Sequence, residues 1–295
     1  MDWKNKMSEY MTMVNDALEN YIGEHQTVNA EVFEAMKYSL FAGGKRLRPI
    51  FSLAVCELLG KEAKQVIPYA CALEMIHTYS LVHDDLPAMD DDEIRRGKPT
   101  NHIVYGEGIA ILAGDGLLNK AYEIMIDHTL KLEKPILGLK AMKSIADASG
   151  TNGMIGGQTA DLLNEGKEVD EKTLTYIHHN KTGALIAAAL KAGSYMADAD
   201  DNEAESWEKI GYTLGLAFQI QDDLLDIEGD ASEMGKPAGS DERNKKMTYP
   251  ALYGIEASRK KVDELTKEVQ TFLKVYGNES NFLSALTNAL MNRRS

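Results

Sequence analysis

Two acidic clusters dominate the chemistry this sequence can offer. The first is Asp84-Asp85-Leu86-Pro87-Ala88-Met89-Asp90-Asp91-Asp92, which ends the apolar run that begins before His77. The second is Gln219-Ile220-Gln221-Asp222-Asp223-Leu224-Leu225-Asp226. Burying unpaired carboxylates is costly, and neighbouring carboxylates repel one another, so each cluster calls for cations. His77, Ser80 or Leu81, and Asp84 fall on one helical line. Pro87 should interrupt that helix and turn Asp90 back toward Asp84. In the second cluster Gln219, Asp222, Asp223 and Asp226 are spaced i, i+3, i+4, i+7, so one helix face carries all four. All-oxygen ligands suit hard ions such as Mg²⁺ or Mn²⁺ rather than zinc. Mg²⁺ takes only one or two carboxylates and completes its shell with water and phosphate oxygens. Two acidic walls therefore predict a diphosphate clamped between them through metal ions.

The chain carries a formal net charge of −14, yet it concentrates cations in a few motifs. These are Gly43-Gly44-Lys45-Arg46-Leu47-Arg48-Pro49, Arg95-Arg96-Gly97-Lys98, Lys181-Thr182-Gly183, Gly235-Lys236-Pro237 and Lys245-Lys246-Met247-Thr248. Arg and Lys bind phosphoryl oxygens well, so the set suits an anionic substrate. Other metal and phosphate motifs fail. An EF-hand beginning at Asp226 would place Ala231 at its glycine position and Pro237 at its glutamate position. The Gly43-Gly44-Lys45-Arg46 run lacks the spacing and the hydroxyl residue of a Walker loop.

The elements that must position these groups read as helices. Leu53–Leu59, Tyr69–Val82, Ile109–Ile126 and Ile210–Ile227 carry apolar residues at helical spacing, while alternating runs that would mark strands are scarce. Several helices are apolar on most faces, which predicts central, buried positions. Loops are expected at Phe41–Pro49, Arg96–Gly108, Ser149–Gly157 and Gly229–Gly239. With 295 residues, 44% of them hydrophobic, the chain can build a full core, and no linker divides it, so one domain over 1–295 is expected. The acidic balance argues against nucleic acid and against an anionic membrane surface. The longest apolar run, Ala184–Leu190, is too short to span a bilayer. The first ten residues lack the apolar core of a signal peptide. Cys56 and Cys71 form neither a metal spacing nor a disulfide framework, which fits a reducing cytoplasm.

The motifs at Gly43–Pro49, His77–Arg96, Gly156-Gly157-Gln158, Lys181-Thr182-Gly183, Phe218–Asp226 and Gly235–Pro250 occur together in one order. In this the sequence resembles the trans-isoprenyl diphosphate synthases, most closely the bacterial farnesyl-type branch, whose first acidic motif has the same four residues between Asp85 and Asp90. The Met at position 247 departs from the Ser or Thr common there, which puts only local packing in question, and Lys245 leaves open which lysine binds. The resemblance implies an all-α fold, a large antiparallel helical bundle around a central cavity, usually dimeric. It also implies head-to-tail condensation of isopentenyl diphosphate with dimethylallyl and then geranyl diphosphate. Asp84, Asp90 and Asp222 would hold Mg²⁺, three ions once the allylic diphosphate is bound, with Asp85, Asp223 and Asp226 as ligands or their supports. Arg95, Lys181 and Lys246 would contact the allylic diphosphate, and Lys236 would help close over it. Lys45, Arg48, His77 and Arg96 would hold isopentenyl diphosphate. Thr182 and Gln219 would turn neutral dipoles toward the developing cation, and the released pyrophosphate would serve as base.

A geranylgeranyl or other short-chain synthase is the nearest alternative. A class I terpene cyclase would show Asn/Asp, Ser/Thr and Glu along one helix where Asp222–Asp226 stands, and would have no use for Lys45 and Arg48. An inactive subunit of a heteromeric synthase should have lost carboxylates, and neither cluster has. Chain length is expected to depend on Tyr79, about 7.5 Å along the helix from Asp84, with Ser80 beside it. Ideal rotation places Tyr79 about 140° around the axis from Asp84 and Ser80 only about 40°. The direction of the Tyr79 ring is thus implied by the resemblance and not by helical geometry, and neighbours from another helix can share the cavity floor.

Overall fold

The computed structural model describes residues 3–23, 28–228 and 247–293. Helices account for most of it. They are α1 (Trp3–Ile22), α2 (Ala30–Leu40), α3 (Leu47–Leu58), α4 (Ile67–Asp84), α5 (Asn101–Tyr105), α6 (Glu107–Thr129) and α7 (Pro135–Ser149), followed by α8 (Met154–Asn164), α9 (Glu171–Ile177), α10 (Ala184–Met196), α11 (Asp201–Glu228), α12 (Tyr249–Tyr253), α13 (Ile255–Leu273) and α14 (Asn281–Met291). One hydrophobic cluster runs from Tyr10 on α1 to Met291 on α14. Among the described residues no helix is long and apolar enough to cross a membrane.

Of the stretches with helical spacing, Tyr69–Val82 is largely buried, whereas Ile109–Ile126 leaves Ile111, Leu112 and Ile126 exposed. On α10 every residue except Lys191 is buried, because Ala, Gly and Ser leave room for α3, α7 and α11 to close around it. Ser52 on α3 spends its hydroxyl on the Ala189 carbonyl of α10 at 2.8 Å, so the contact leaves no orphaned group there. Helix α4 is buried over most of its length and packs along α6. Its polar end, from His77 to Asp84, is the exception that the sequence pattern marks.

Three segments differ from the expectations, the first being the loop expected over Phe41–Pro49, which ends sooner because α3 begins at Leu47. Where a loop is expected over Arg96–Gly108, the chain closes a short antiparallel pair that starts just before it, β1 (Ile94–Arg95) with β2 (Lys98–Pro99), and then forms α5. Arg96 and Gly97 take φ values of 53° and 74°, the paired left-handed conformation of a two-residue hairpin turn. Asn101 at the start of α5 donates to the Ala35 carbonyl and to Ser39 Oγ, both at 2.8 Å, which ties the segment to α2. The loop expected over Ser149–Gly157 is shorter, since α8 begins at Met154. The segment expected as a loop over Gly229–Gly239 lies outside the described residues.

Arg46 has a left-handed backbone at the entrance to α3, with φ of 50°. Its guanidinium donates to Glu74 Oε1 at 2.7 Å, Asn15 Oδ1 at 3.0 Å and the Leu40 carbonyl at 2.6 Å. Three helices and the α2–α3 turn thus meet on one side chain. Both partners of the Arg46–Glu74 ion pair are 3% exposed. Removing one partner strands a buried charge, so Glu74→Ala should lower unfolding free energy by about 3–5 kcal/mol. Denaturant titration of the two proteins measures this, and a near-neutral change would show the pair to be dispensable.

Candidate functional site

Pro87 does what its position suggests. Helix α4 stops at Asp84, and the amide of Asp90 donates to the Asp84 carbonyl at 2.8 Å, so the two ends of the first acidic motif are held side by side. Asp85 is buried, at 3% exposure, and is already matched. Arg95 Nε reaches both its oxygens at 2.7 and 2.9 Å, and Arg95 Nη2 lies 2.5 Å from Oδ1 and 3.5 Å from Asp92. Arg95 thus bridges Asp85 and Asp92 within the motif.

Asp84 borders a cavity of about 480 Å³. Around it stand Arg48, His77, Lys181 and Thr182 as polar groups. Tyr79, Met154, Ile155, Leu162 and Leu163 form its apolar wall. Arg48 Nε is buried and has no hydrogen-bond partner, which leaves a donor that an anion would satisfy. Burial opposes the Arg48 charge, while Glu74 and then Asp222 favour it. His77 is held well below the usual histidine range by burial and by Arg48, Arg96, Arg95 and Arg46. Arg96 donates to the Gly43 carbonyl, joining the hairpin turn to the glycine-rich turn before α3.

Lys181 and Thr182 lie on a π-helical turn, His178–Gly183, between α9 and α10. Two glycines let neighbouring helices close on this turn. A Cβ at Gly157 on α8 would lie 2.8 Å from Lys181 Cα, and one at Gly215 on α11 would lie 2.6 Å from Gly183 Cα. Lys181 Nζ pairs with Asp161 of α8 at 2.6 Å. Thr182 Oγ1 donates to Gln219 Oε1 at 2.7 Å, and Gln219 Nε2 donates to Asp223 Oδ1 at 2.9 Å. Asp223 Oδ2 accepts the Tyr249 amide of α12 at 2.9 Å. Since Thr182 gives its hydrogen to Gln219, its oxygen lone pairs are left for the cavity that Thr182 lines.

Asp222 is raised above the usual carboxylate range by burial, against the pull of Arg293, Lys45 and Arg48. Arg293, just past α14, pairs with Asp222 and lies 4.2 Å from the Phe218 ring centroid. Lys45 is lowered by burial and by Arg293, with Asp222 opposing. The glycine-rich turn, the second acidic face and the end of the chain thus share one electrostatic environment. Sequence reading missed Arg293, which no local motif marks, and Asp161, whose signal was its place three residues after Gln158. Lys236, Lys245 and Lys246 lie outside the described residues.

Tyr79 is 6% exposed and lies on the cavity wall, and Ser80 lines it too while donating to the His77 carbonyl at 2.9 Å. The α8 residues Met154, Ile155, Leu162 and Leu163 share that wall with Tyr79. Among the described residues no three carboxylate, imidazole or thiol groups gather at one point that a metal could fill. The donor set still fits Mg²⁺, which needs one or two of these carboxylates and takes its other ligands from phosphate and water.

The sequence matches the polyprenyl synthetase family over residues 29–280. It is 46% identical over 256 residues to a farnesyl diphosphate synthase of Geobacillus stearothermophilus, covering 87% of this chain and 86% of that one. It is 44% identical over 265 residues to a geranylgeranyl diphosphate synthase of Cyanophora paradoxa, covering 90% and 88%. The crystal structure of an FPP/GFPP synthase from Zymomonas mobilis superposes with a TM-score of 0.88 at 32% identity, covering 98% of this chain and 99% of that one. With the two acidic faces, the lysine turn and the apolar cavity in place on a fold shared along nearly the whole chain, this protein belongs to the polyprenyl synthetase family.

Proposed function

We propose that this protein is a prenyltransferase that condenses isopentenyl diphosphate with dimethylallyl and then geranyl diphosphate, releasing farnesyl diphosphate. The observation that carries the reading is the cavity bordered by Asp84. It sets the unsatisfied Nε of Arg48 beside an apolar wall, as an ionic head on a hydrocarbon tail requires. One domain over 1–295, a homodimer and a reducing cytoplasm belong to the same proposal. The apolar residues Ile111, Leu112 and Ile126 exposed along α6 supply surface for a second copy to cover, and Cys56 and Cys71 are buried free thiols.

In this reading Asp84, Asp90 and Asp222 are the carboxylates that hold Mg²⁺, with Mn²⁺ as a substitute, and Asp85, Asp223 and Asp226 support or join them. When bound, the metal supplies Lewis-acid stabilisation to the departing diphosphate. Lys181 exchanges its pairing with Asp161 for the allylic diphosphate, and Arg95, Lys236 and Lys246 add charge around it. Lys45, Arg48, Arg96 and His77 hold isopentenyl diphosphate, with Arg48 Nε gaining the partner it lacks. Thr182, fixed by Gln219, turns its oxygen toward the allylic carbon as positive charge develops there. The apolar wall keeps water from the cation. Tyr79 limits the length of the tail, and Ser80 contributes to the same stretch of wall. Overall similarity to farnesyl- and geranylgeranyl-forming relatives is nearly equal, so the product is argued from this wall.

Turnover with dimethylallyl and isopentenyl diphosphates should vanish in excess chelator and return with Mg²⁺. Asp84→Ala should lower it at least about 100-fold without loss of helix content by circular dichroism, because Asp84 is only half-buried. Undiminished activity in chelator would refute the metal assignment. Tyr79→Ala should move the principal product from fifteen carbons to twenty or more, read by chromatography of the dephosphorylated alcohols. A stable variant that still stops at fifteen carbons would remove Tyr79 as the limit.

A further inference from the structure

Tyr79 does not stand alone on its wall. One turn later on α4 comes His83, whose ring meets the Tyr79 ring edge to face, with centroids 5.6 Å apart and planes at 82°. Both rings line the cavity. On its other side His83 is anchored to α6, where Nε2 lies 3.0 Å from the Ile111 carbonyl. A carbonyl only accepts, so the proton sits on Nε2 and is donated to it. Asp115 Oδ1 lies 3.9 Å from the same nitrogen.

This seat exists because position 114 is glycine. A Cβ there would lie 2.5 Å from His83 Cδ2 and 2.9 Å from Cε1, and closer still to Nε2. Gly114 is buried in the middle of α6, where glycine is a poorer helix former than alanine. Its backbone is helical, so no left-handed turn accounts for it. What the missing side chain gains is the space for the imidazole.

We infer that His83, seated against Gly114, is a specificity-determining residue that holds the Tyr79 ring across the hydrocarbon path and so helps to set product length. The inference rests on the reading of Tyr79 as the limit to chain growth. The phenol ring has a rotatable χ1, and its i+4 neighbour on the helix is the group placed to restrain it from the Asp84 side. With the imidazole displaced or removed, Tyr79 is free to swing and the growing chain passes it. His83 contributes position here and takes no proton from the substrate.

The test compares Tyr79→Ala, His83→Ala, His83→Phe and Gly114→Ala, each assayed with Mg²⁺, dimethylallyl diphosphate and excess isopentenyl diphosphate, with the products sized. His83→Ala and Gly114→Ala should raise the fraction of products longer than fifteen carbons at least about fivefold, with Tyr79 intact. His83→Phe restores a ring without the hydrogen bond and should keep the fifteen-carbon product. His83→Ala added to Tyr79→Ala should lengthen products no further than Tyr79→Ala does. If Tyr79→Ala lengthens the product while Gly114→Ala and His83→Ala only slow turnover at unchanged length, His83 is a mere pin between α4 and α6. The inference then falls while the proposed function stands. If Tyr79→Ala itself leaves the length unchanged, the premise has failed and takes the inference with it.

Discussion

Compensating charge inside a helical core is the constraint on which the rest of this structure depends. Carboxylates at the ends of apolar helices are tolerable only where cations or amides meet them. The described residues meet most of them with protein groups: Glu74 with Arg46, Asp85 with Arg95, Asp161 with Lys181 and Asp222 with Arg293. Asp223 is met by the Gln219 amide and the Tyr249 N–H. Several of these pairs join segments far apart in the chain, so charge matching also ties the glycine-rich turn to α4, α8 to the π-helical turn and α14 to α11. A site built this way is a set of exchangeable ion pairs.

Much of the site was legible because its logic is local. The spacing of Gln219, Asp222, Asp223 and Asp226 fixes a common helix face, and Pro87 fixes the return of Asp90 to Asp84. Apolar faces all around α4 and α10 fix their central places. What was not legible depends on contacts across long sequence separations. Arg293 meets Asp222 only because α14 ends beside α11. Asp161 meets Lys181 only because Gly157 lets α8 approach the π-helical turn. The strand pair at Ile94–Pro99 was hidden for a different reason. It is too short for alternation to register, and its turn is set by left-handed Arg96, a residue type that rarely signals that conformation.

The direction of Tyr79 shows both limits together. Ideal helical rotation points it away from Asp84, yet it lines the same cavity as Asp84. The cavity is bounded by α8 as well as by α4, so a side chain well around the helix still faces its lower wall. Rotation about one axis describes where a side chain leaves its helix, whereas a cavity is defined by what the neighbouring helices leave empty.

The π-helical turn at His178–Gly183 carries a consequence of its own. It joins α9 to α10 with a wider hydrogen-bonded loop than an α-helix has, which amounts to one residue more than a continuous helix would need. Deleting a single residue there would let the two helices run together as an uninterrupted rod, and the backbone would lose no hydrogen bond by it. The phase of everything on one side would then turn by about 100° relative to the other. With α10 locked in the core, the slip would fall on the segment before it, carrying its lysine-bearing face off the Asp161 side. The placing of Lys181 opposite Asp161 is in this sense stored as a register offset, a vernier of one residue written into the backbone.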